Sequence, residues 1–209
     1  MKILPALLLA LLCTGATAHN ESAAPSKAPA VAPTPAPSGT RDPRAYFTDL
    51  ELVTQDGRKV RFYSDTMEGR TVVISFIYTN CKDACPLILQ KLLNVKELLG
   101  DAFNRDVYFL TISSDPDRDT PSEMKKYAQK QSADLPGWLH LTGSKENITH
   151  ILKKLGSYSQ SVEEHSTLLL AGNVSAKRWT KMRADAPAQL IAERLKVLAE
   201  VGALGAKAN

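Results

Sequence analysis

Two cysteines stand four residues apart in TNCKDACP (79–86), directly after the apolar run TVVISFIY (71–78). Thiolates are both nucleophiles and metal ligands, and a helix N-terminus lowers their pKa. If a helix starts here, the i,i+4 spacing puts Cys81 and Cys85 on one face, one turn apart. Their sulfurs then have two uses: they close on each other as a redox disulfide, or they converge on one ion. The usual dithiol spacing is C-x-x-C; this one is a residue longer, which still permits a disulfide and leaves room for a metal. A purely structural bridge explains the pair poorly. It would close a short loop, which constrains the unfolded chain little, in a chain long enough to build a core without a staple.

Two thiolates rarely complete a metal site, so a third ligand is needed. The histidines are His19, His140, His150 and His165. His140 lies inside WLHLT and reads as a sheet residue; His150, in NITHILKKL, reads as a solvated helix position. His165, in EEHST, immediately precedes an apolar strand and falls at the sheet edge that carries the cysteines. Two thiolates and an imidazole suit copper, whereas zinc would want a fourth ligand. On spacing alone, metal binding and dithiol redox chemistry stand level. Asp115, Asp117 and Asp119 follow a buried strand at the same edge. Aspartates beside prolines in turns form local hydrogen bonds, which is the reading adopted, with site support or partner docking as its alternative.

The elements that must position these residues alternate. Residues 46–53 and 58–63 read as strands around the Asp56-Gly57 turn. Residues 71–78 and 107–113 are buried strands, and 138–142 is a shorter one. Helices are expected over 86–99 with Gly100 as stop, over 120–134 from Thr120-Pro121, and over 144–156 between Ser144 and Gly156. A strand at 165–173, a hairpin partner at KRWTKM and a closing helix at 186–201 complete the chain. Alternation of this kind predicts an α/β sandwich on a partly parallel sheet, with chemistry at the carboxyl ends of its strands.

The chain has 209 residues, 44% of them hydrophobic, a formal net charge of +4 and a pI near 8.9. Its basic residues are interspersed with acids, which argues against nucleic-acid binding. MKILPALLLALLCTGATA reads as a cleavable export signal, 1–18, ending in A-x-A. An uncleaved anchor, or a lipoprotein acylated at Cys13, fits less well, since Leu12 is a poor neighbour for acylation. Residues 19–40, rich in Pro, Ala and Ser, read as a semi-stiff spacer, and 41–209 as the folded domain. Cleavage after Ala18 would leave His19 as a terminal copper(II) chelator. The expectation is an exported, periplasmic protein, monomeric, working near the membrane without being anchored in it.

Together, VVISFIYTNCKDACP, LTISSDPDRDTPSEMKKYA, LPGWLHLTG and EEHSTLLLAGN, in this order over about residues 45–200, resemble the Sco/SenC family of thioredoxin-like copper proteins. The resemblance implies a thioredoxin-like sandwich with a central mixed sheet and an added β-hairpin. It implies one copper ion per chain, held by Cys81, Cys85 and His165. It also implies a metallochaperone that delivers copper to, or reduces the cysteines of, the copper A centre of cytochrome c oxidase; the partner is that copper-site subunit or another copper or thiol client. A thiol–disulfide reductase using Cys81 and Cys85 is the alternative. A peroxidase is disfavoured, because no arginine motif accompanies Thr79. The family continues past its histidine into an aspartate-rich turn, and here Gly172-Asn173 is expected to make that turn.

Overall fold

The computed structural model describes residues 43–207. The export signal, the spacer, Cys13 and His19 lie outside the described residues. In chain order the elements are α1 (Pro43–Phe47), β1 (Glu51–Thr54), β2 (Lys59–Arg61), α2 (Phe62–Thr66), β3 (Thr71–Ile77), α3 (Ala84–Leu99), β4 (Val107–Ser113), α4 (Pro121–Lys130), β5 (Trp138–Thr142), α5 (Lys145–Leu155), β6 (Leu168–Asn173), β7 (Arg178–Arg183) and α6 (Ala188–Lys207). Seven strands form one sheet in the order β2-β1-β5-β4-β3-β6-β7, so β2 and β7 are its edges. The inner strands β3, β4 and β5 run parallel, and the others join antiparallel. This is the thioredoxin-like α/β sandwich with its added β6–β7 hairpin.

Every residue of β3 is buried, as expected of a strand covered on both faces. Alternation then sorts its side chains. Val73 and Ile77 join α3, α4 and α6 in one core, while Val72, Ile74 and Phe76 join α1, α2 and α5 in the other. Three polar side chains cross the sheet with each other as partners. The Ser75 and Thr111 hydroxyls meet at 2.9 Å, and Trp138 Nε1 donates to Thr111 Oγ1 at 2.9 Å.

The helix ends follow local chemistry. Thr120 Oγ1 accepts from Glu123 N at 3.3 Å, with Pro121 in the first turn, and Ser144 Oγ accepts from Asn147 N at 3.2 Å. Gly156 ends α5 at φ 66°, in the left-handed region.

Several boundaries differ from the sequence reading. Residues 46–47 and 62–63 belong to short helices, whose Phe47, Phe62 and Tyr63 are buried against the second core. The helix after Thr120 stops at Lys130, because Ser132 takes a positive φ of 58°. The strand after His165 begins only at Leu168. Gly172 and Asn173 do not make a turn: they finish β6, and the chain turns over 174–177. Gly172 pairs with Trp179 across the hairpin, and a Cβ there would run into the indole. Asn173 Nδ2 donates to Thr71 Oγ1 at 2.9 Å, and its Oδ1 accepts from Ala176 N at 3.0 Å.

His140 is a sheet residue, as read from sequence, and lies in the core. It is fully buried in β5, stacked on Trp138, with Nε2 at 2.9 Å from the Ala133 carbonyl. Burial pushes its pKa down from 6.5 to about 4, and the Ala133 carbonyl offsets this only in part. Between those values the unfolded chain binds the proton and the folded one does not, so stability falls as pH drops from about 6.5 toward 4. From this group alone, urea denaturation at pH 5 is expected to give about 2 kcal/mol less stability than at pH 7. His140→Gln should flatten that slope; an unchanged slope would assign it to other groups.

Candidate functional site

The end of β3 is fixed before the first cysteine arrives. Ser114 N donates to the Ile77 carbonyl at 2.7 Å, holding β3 to the loop after β4. Asp119 ties the same two segments. Its Oδ1 accepts from Thr79 N at 3.1 Å and Thr79 Oγ1 at 2.6 Å, and its Oδ2 accepts from Ser113 Oγ at 2.6 Å. Cys81 N then donates to the Tyr78 carbonyl at 3.1 Å, closing the turn that presents the first thiol.

Helix α3 begins at Ala84, so Cys85 and Pro86 occupy its first turn. Proline is tolerated there, since the N–H it lacks would have no helical partner. The free N–H of Cys85 instead donates to Cys81 Sγ at 3.4 Å. Both cysteines are free thiols and buried, Cys85 completely and Cys81 with 8% exposure.

The histidine comes from the far side of the sheet edge. A single 3-10 turn, Val162–Glu164, ends at His165. Its backbone N–H and its Nδ1 both reach the Val162 carbonyl, at 3.3 and 2.9 Å. With Nδ1 donating, Nε2 faces Cys85 Sγ at 3.7 Å. The Tyr78 ring meets the imidazole edge-on at 5.2 Å.

Electrostatics make the two thiols unlike. Burial pushes Cys81 up, but donors from Cys85 (thiol and N–H), the Asp83 N–H and the Tyr78 hydroxyl outweigh it and hold Cys81 below the ordinary thiol value. Cys85 goes far the other way, chiefly by burial and then because it donates to Cys81. Burial, followed by the bond to Cys81, pushes Tyr78 up to about 12. Burial holds His165 below its usual pKa, with the Val162 and Phe76 carbonyls partly offsetting. The imidazole is therefore neutral at pH 7, with a lone pair available. Cys81 is the sulfur that accepts charge, and Cys85 is the sulfur that keeps its proton.

Thus Cys81, Cys85 and His165 come together as read from sequence, while His140 is in the core and His150 is exposed on α5. Among the described residues no group of three or more His, Cys, Asp or Glu side chains stands in metal-holding geometry; the two thiols and the imidazole meet only through Cys85, which contacts both Cys81 and His165. Each of the three aspartates has a local partner. Asp119 is the clamp, Asp115 pairs with Arg118 at 3.3 Å, and Asp117 pairs with Lys145. Sequence reasoning missed Tyr78 and Tyr127. Tyr127 is 7% exposed, packs in the core that holds both cysteines, and its hydroxyl has no hydrogen-bond partner. Burial, then the charges of Cys85, Cys81 and Asp119, push its pKa up. The apolar spacing of α4, with Met124, Tyr127 and Ala128 all buried, marks Tyr127 as core and hides its nearness to the sulfurs.

Known proteins place this arrangement. The SCO2-like protein of Rickettsia conorii is 34% identical over 106 residues, 51% of this chain and 49% of that protein. The chain spans about half the length of the first curated relatives it matches. Copper-bound ScoI of Bradyrhizobium japonicum superposes with a TM-score of 0.60 and 26% identity, over 71% of this chain and 96% of that one. BsSco, described as a member of the Sco family of cytochrome c oxidase assembly proteins and as carrying a disulfide switch, gives a TM-score of 0.63 and 25% identity, over 74% of this chain and 93% of that one. The SCO1/SenC family model matches residues 38–199. That span takes in both sulfurs, the imidazole and every strand of the sheet: the chain belongs to the SCO1/SenC family.

Proposed function

We propose that this protein is a copper metallochaperone that binds one copper ion through Cys81, Cys85 and His165 and passes it to the thiolates of a partner. The observation that carries the reading is the 3.7 Å approach of Cys85 Sγ to His165 Nε2, beside a Cys81 sulfur held by the Cys85 N–H. Thiolate and imidazole bonds of about 2.3 and 2.0 Å to one ion, at a trigonal angle, set sulfur and nitrogen about 3.7 Å apart. Two soft sulfurs and one imidazole favour copper(I) over harder ions. The open ligand set suits release, since a partner's sulfur can join the ion before one of these leaves.

The copper-bound relative supports the choice of ion, and the oxidase-assembly relative supports the copper-site subunit of cytochrome c oxidase as the client. Leu87, 71% exposed just after Cys85, and Leu168, just after His165, give that partner an apolar rim. The leader at 1–18 supports export, with work in the periplasm close to the membrane.

The unlike thiols favour a second reading, a thiol–disulfide reductase. Cys81 thiolate attacks a partner disulfide, forming a mixed disulfide and releasing one partner thiolate. Cys85 then gives up its proton and attacks Cys81 Sγ, releasing the second thiolate and leaving Cys81–Cys85 oxidised by two electrons.

An anaerobic copper(I) titration of the reduced protein, beside His165→Ala, separates the two. The copper reading expects one equivalent bound by the wild type and binding at least about 100-fold weaker in the variant, as for loss of one ligand in three. Equal binding by both proteins would remove His165 from the ligand set. Negligible binding by both would leave the reductase.

A further inference from the structure

On the face of the sheet opposite the thiols, a groove of about 490 Å³ runs between α1, the end of α5 and the β6–β7 hairpin. Pockets that hold small ligands measure about 300–1,000 Å³ and are mostly apolar, with a few placed polar groups. The floor and walls here are Phe47, Leu155, Leu170 and Trp179. Phe47 and Trp179 meet at 4.8 Å between ring centroids, and Tyr46 meets Phe47 edge-on at 4.9 Å. The Trp179 wall is built in: its indole lies over Gly172, where any side chain would displace it.

The rim is cationic. Lys154, Lys177 and Lys181 all line the groove. Among the described residues none of the three pairs with a carboxylate, and no Asp or Glu lines the groove. Lys154 has a local reason to exist, since it lies in the last turn of α5, where a cation answers the helix dipole. Lys177 has no such reason, and Lys181 stands on the edge strand β7, where a cation also discourages strand addition. Lys181 sits on a strand beside Gly156, where a Cβ would lie 3.4 Å from its Nζ. Lys177 holds a positive φ of 49°, a conformation that costs an L-residue and that glycine or asparagine would take more readily.

We propose that this groove is a binding site for a single anionic amphiphile: a long apolar chain lying along Phe47, Leu170 and Trp179, with a carboxylate head held by Lys154, Lys177 and Lys181. The apolar floor alone would accept any greasy ligand. The three ammonium groups, none paired with a carboxylate and one of them, Lys154, lying over the Tyr46 ring at 5.9 Å, select a negative head and exclude a cationic one. The site stands on the second core and is independent of the copper or thiol chemistry.

Trp179 reports on it directly. The only other tryptophan, Trp138, is fully buried in the opposite core. The full-length protein is titrated with dibromostearate below its micelle concentration, with Trp fluorescence as readout. Partial, saturable quenching at one equivalent is expected. It should weaken at least about 10-fold with the uncharged methyl ester of the same chain, and as much in the Lys154→Gln, Lys177→Gln, Lys181→Gln triple variant. These lysines are exposed, so the variant should keep the wild-type melting temperature. Absence of quenching, non-saturable quenching, or equal quenching by acid and ester would overturn the proposal. A parallel arm with phosphatidylglycerol vesicles separates the source: adsorption to vesicles without quenching by the monomeric acid would mean a membrane-facing surface and overturn the groove as a site.

Discussion

Iodoacetamide at pH 7 is expected to alkylate Cys81 more than about 100-fold faster than Cys85. The thiolate is the reacting species. Burial resists ionisation at both sulfurs, but four donors converge on Cys81 and hold its pKa down, whereas Cys85 spends its own proton on Cys81 and is driven far up. Access reinforces charge, since Cys85 has no exposed surface at all. Peptide mass spectrometry of a timed reaction distinguishes the two sites, and similar rates would contradict the asymmetry. The same asymmetry sets the pH dependence of metal loading. A thiolate ligand must first lose its proton, and around neutrality Cys85 still holds one. Copper binding should therefore release protons and tighten by at least about 10-fold per pH unit from pH 6 to 8.

Asp119→Ala should be the most damaging single change outside the ligand set. It strands three donors, Thr79 N–H, Thr79 O–H and Ser113 O–H, in a part of the molecule where water cannot readily replace the carboxylate. The expected cost is about 3 kcal/mol, or roughly 8 °C in melting temperature for a domain of this size. Because Thr79 leads directly into Cys81, the turn should also loosen, and the 100-fold difference in alkylation should shrink. Asp119→Asn keeps an acceptor and should recover most of the stability. A melting temperature within 2 °C of wild type for the alanine variant, on the same scale, would mean that the clamp carries little. Asp119 is not the source of acid lability. Burial raises its pKa more than its donors lower it, so its contribution is greatest below the unfolded value of 3.8 and declines as pH rises through the folded one. Loss of stability toward pH 5 belongs to His140.

The inner strands were readable to the residue or nearly so, because VVISFI, VYFLTIS and WLHLT are continuous apolar runs that only a doubly covered sheet accepts. The helix caps at Thr120 and Ser144 were readable for a different reason: their chemistry is local. Short apolar stretches were not. Over five residues a period of 2 and a period of 3.6 place Phe47 or Phe62 on the core equally well, and tertiary packing made helices of both. Gly172-Asn173 misled because the pair is a common turn signal. Its actual reasons are long-range, an indole that needs a bare Cα beneath it and an amide that reaches Thr71. The site divides the same way. Cys81, Cys85 and His165 could be placed on one edge from topology. The clamp of Asp119 on Thr79 and the nearness of Tyr127 to the sulfurs depend on contacts made across 40 residues or more of chain, and no local pattern encodes them.

Both margins of the sheet are cationic: β2 is KVR, and β7 is RWTKMR. A strand with one free side is a template onto which another molecule can add, and short or lysine- and arginine-bearing strands discourage that addition. This matters for a protein that carries reactive sulfurs, because a stacked pair of molecules could be locked by intermolecular disulfides before it came apart. The charges on β2 and β7 oppose the first step, the docking of edge on edge. The strand that walls the amphiphile groove therefore also guards the sheet's open side against growth into aggregates.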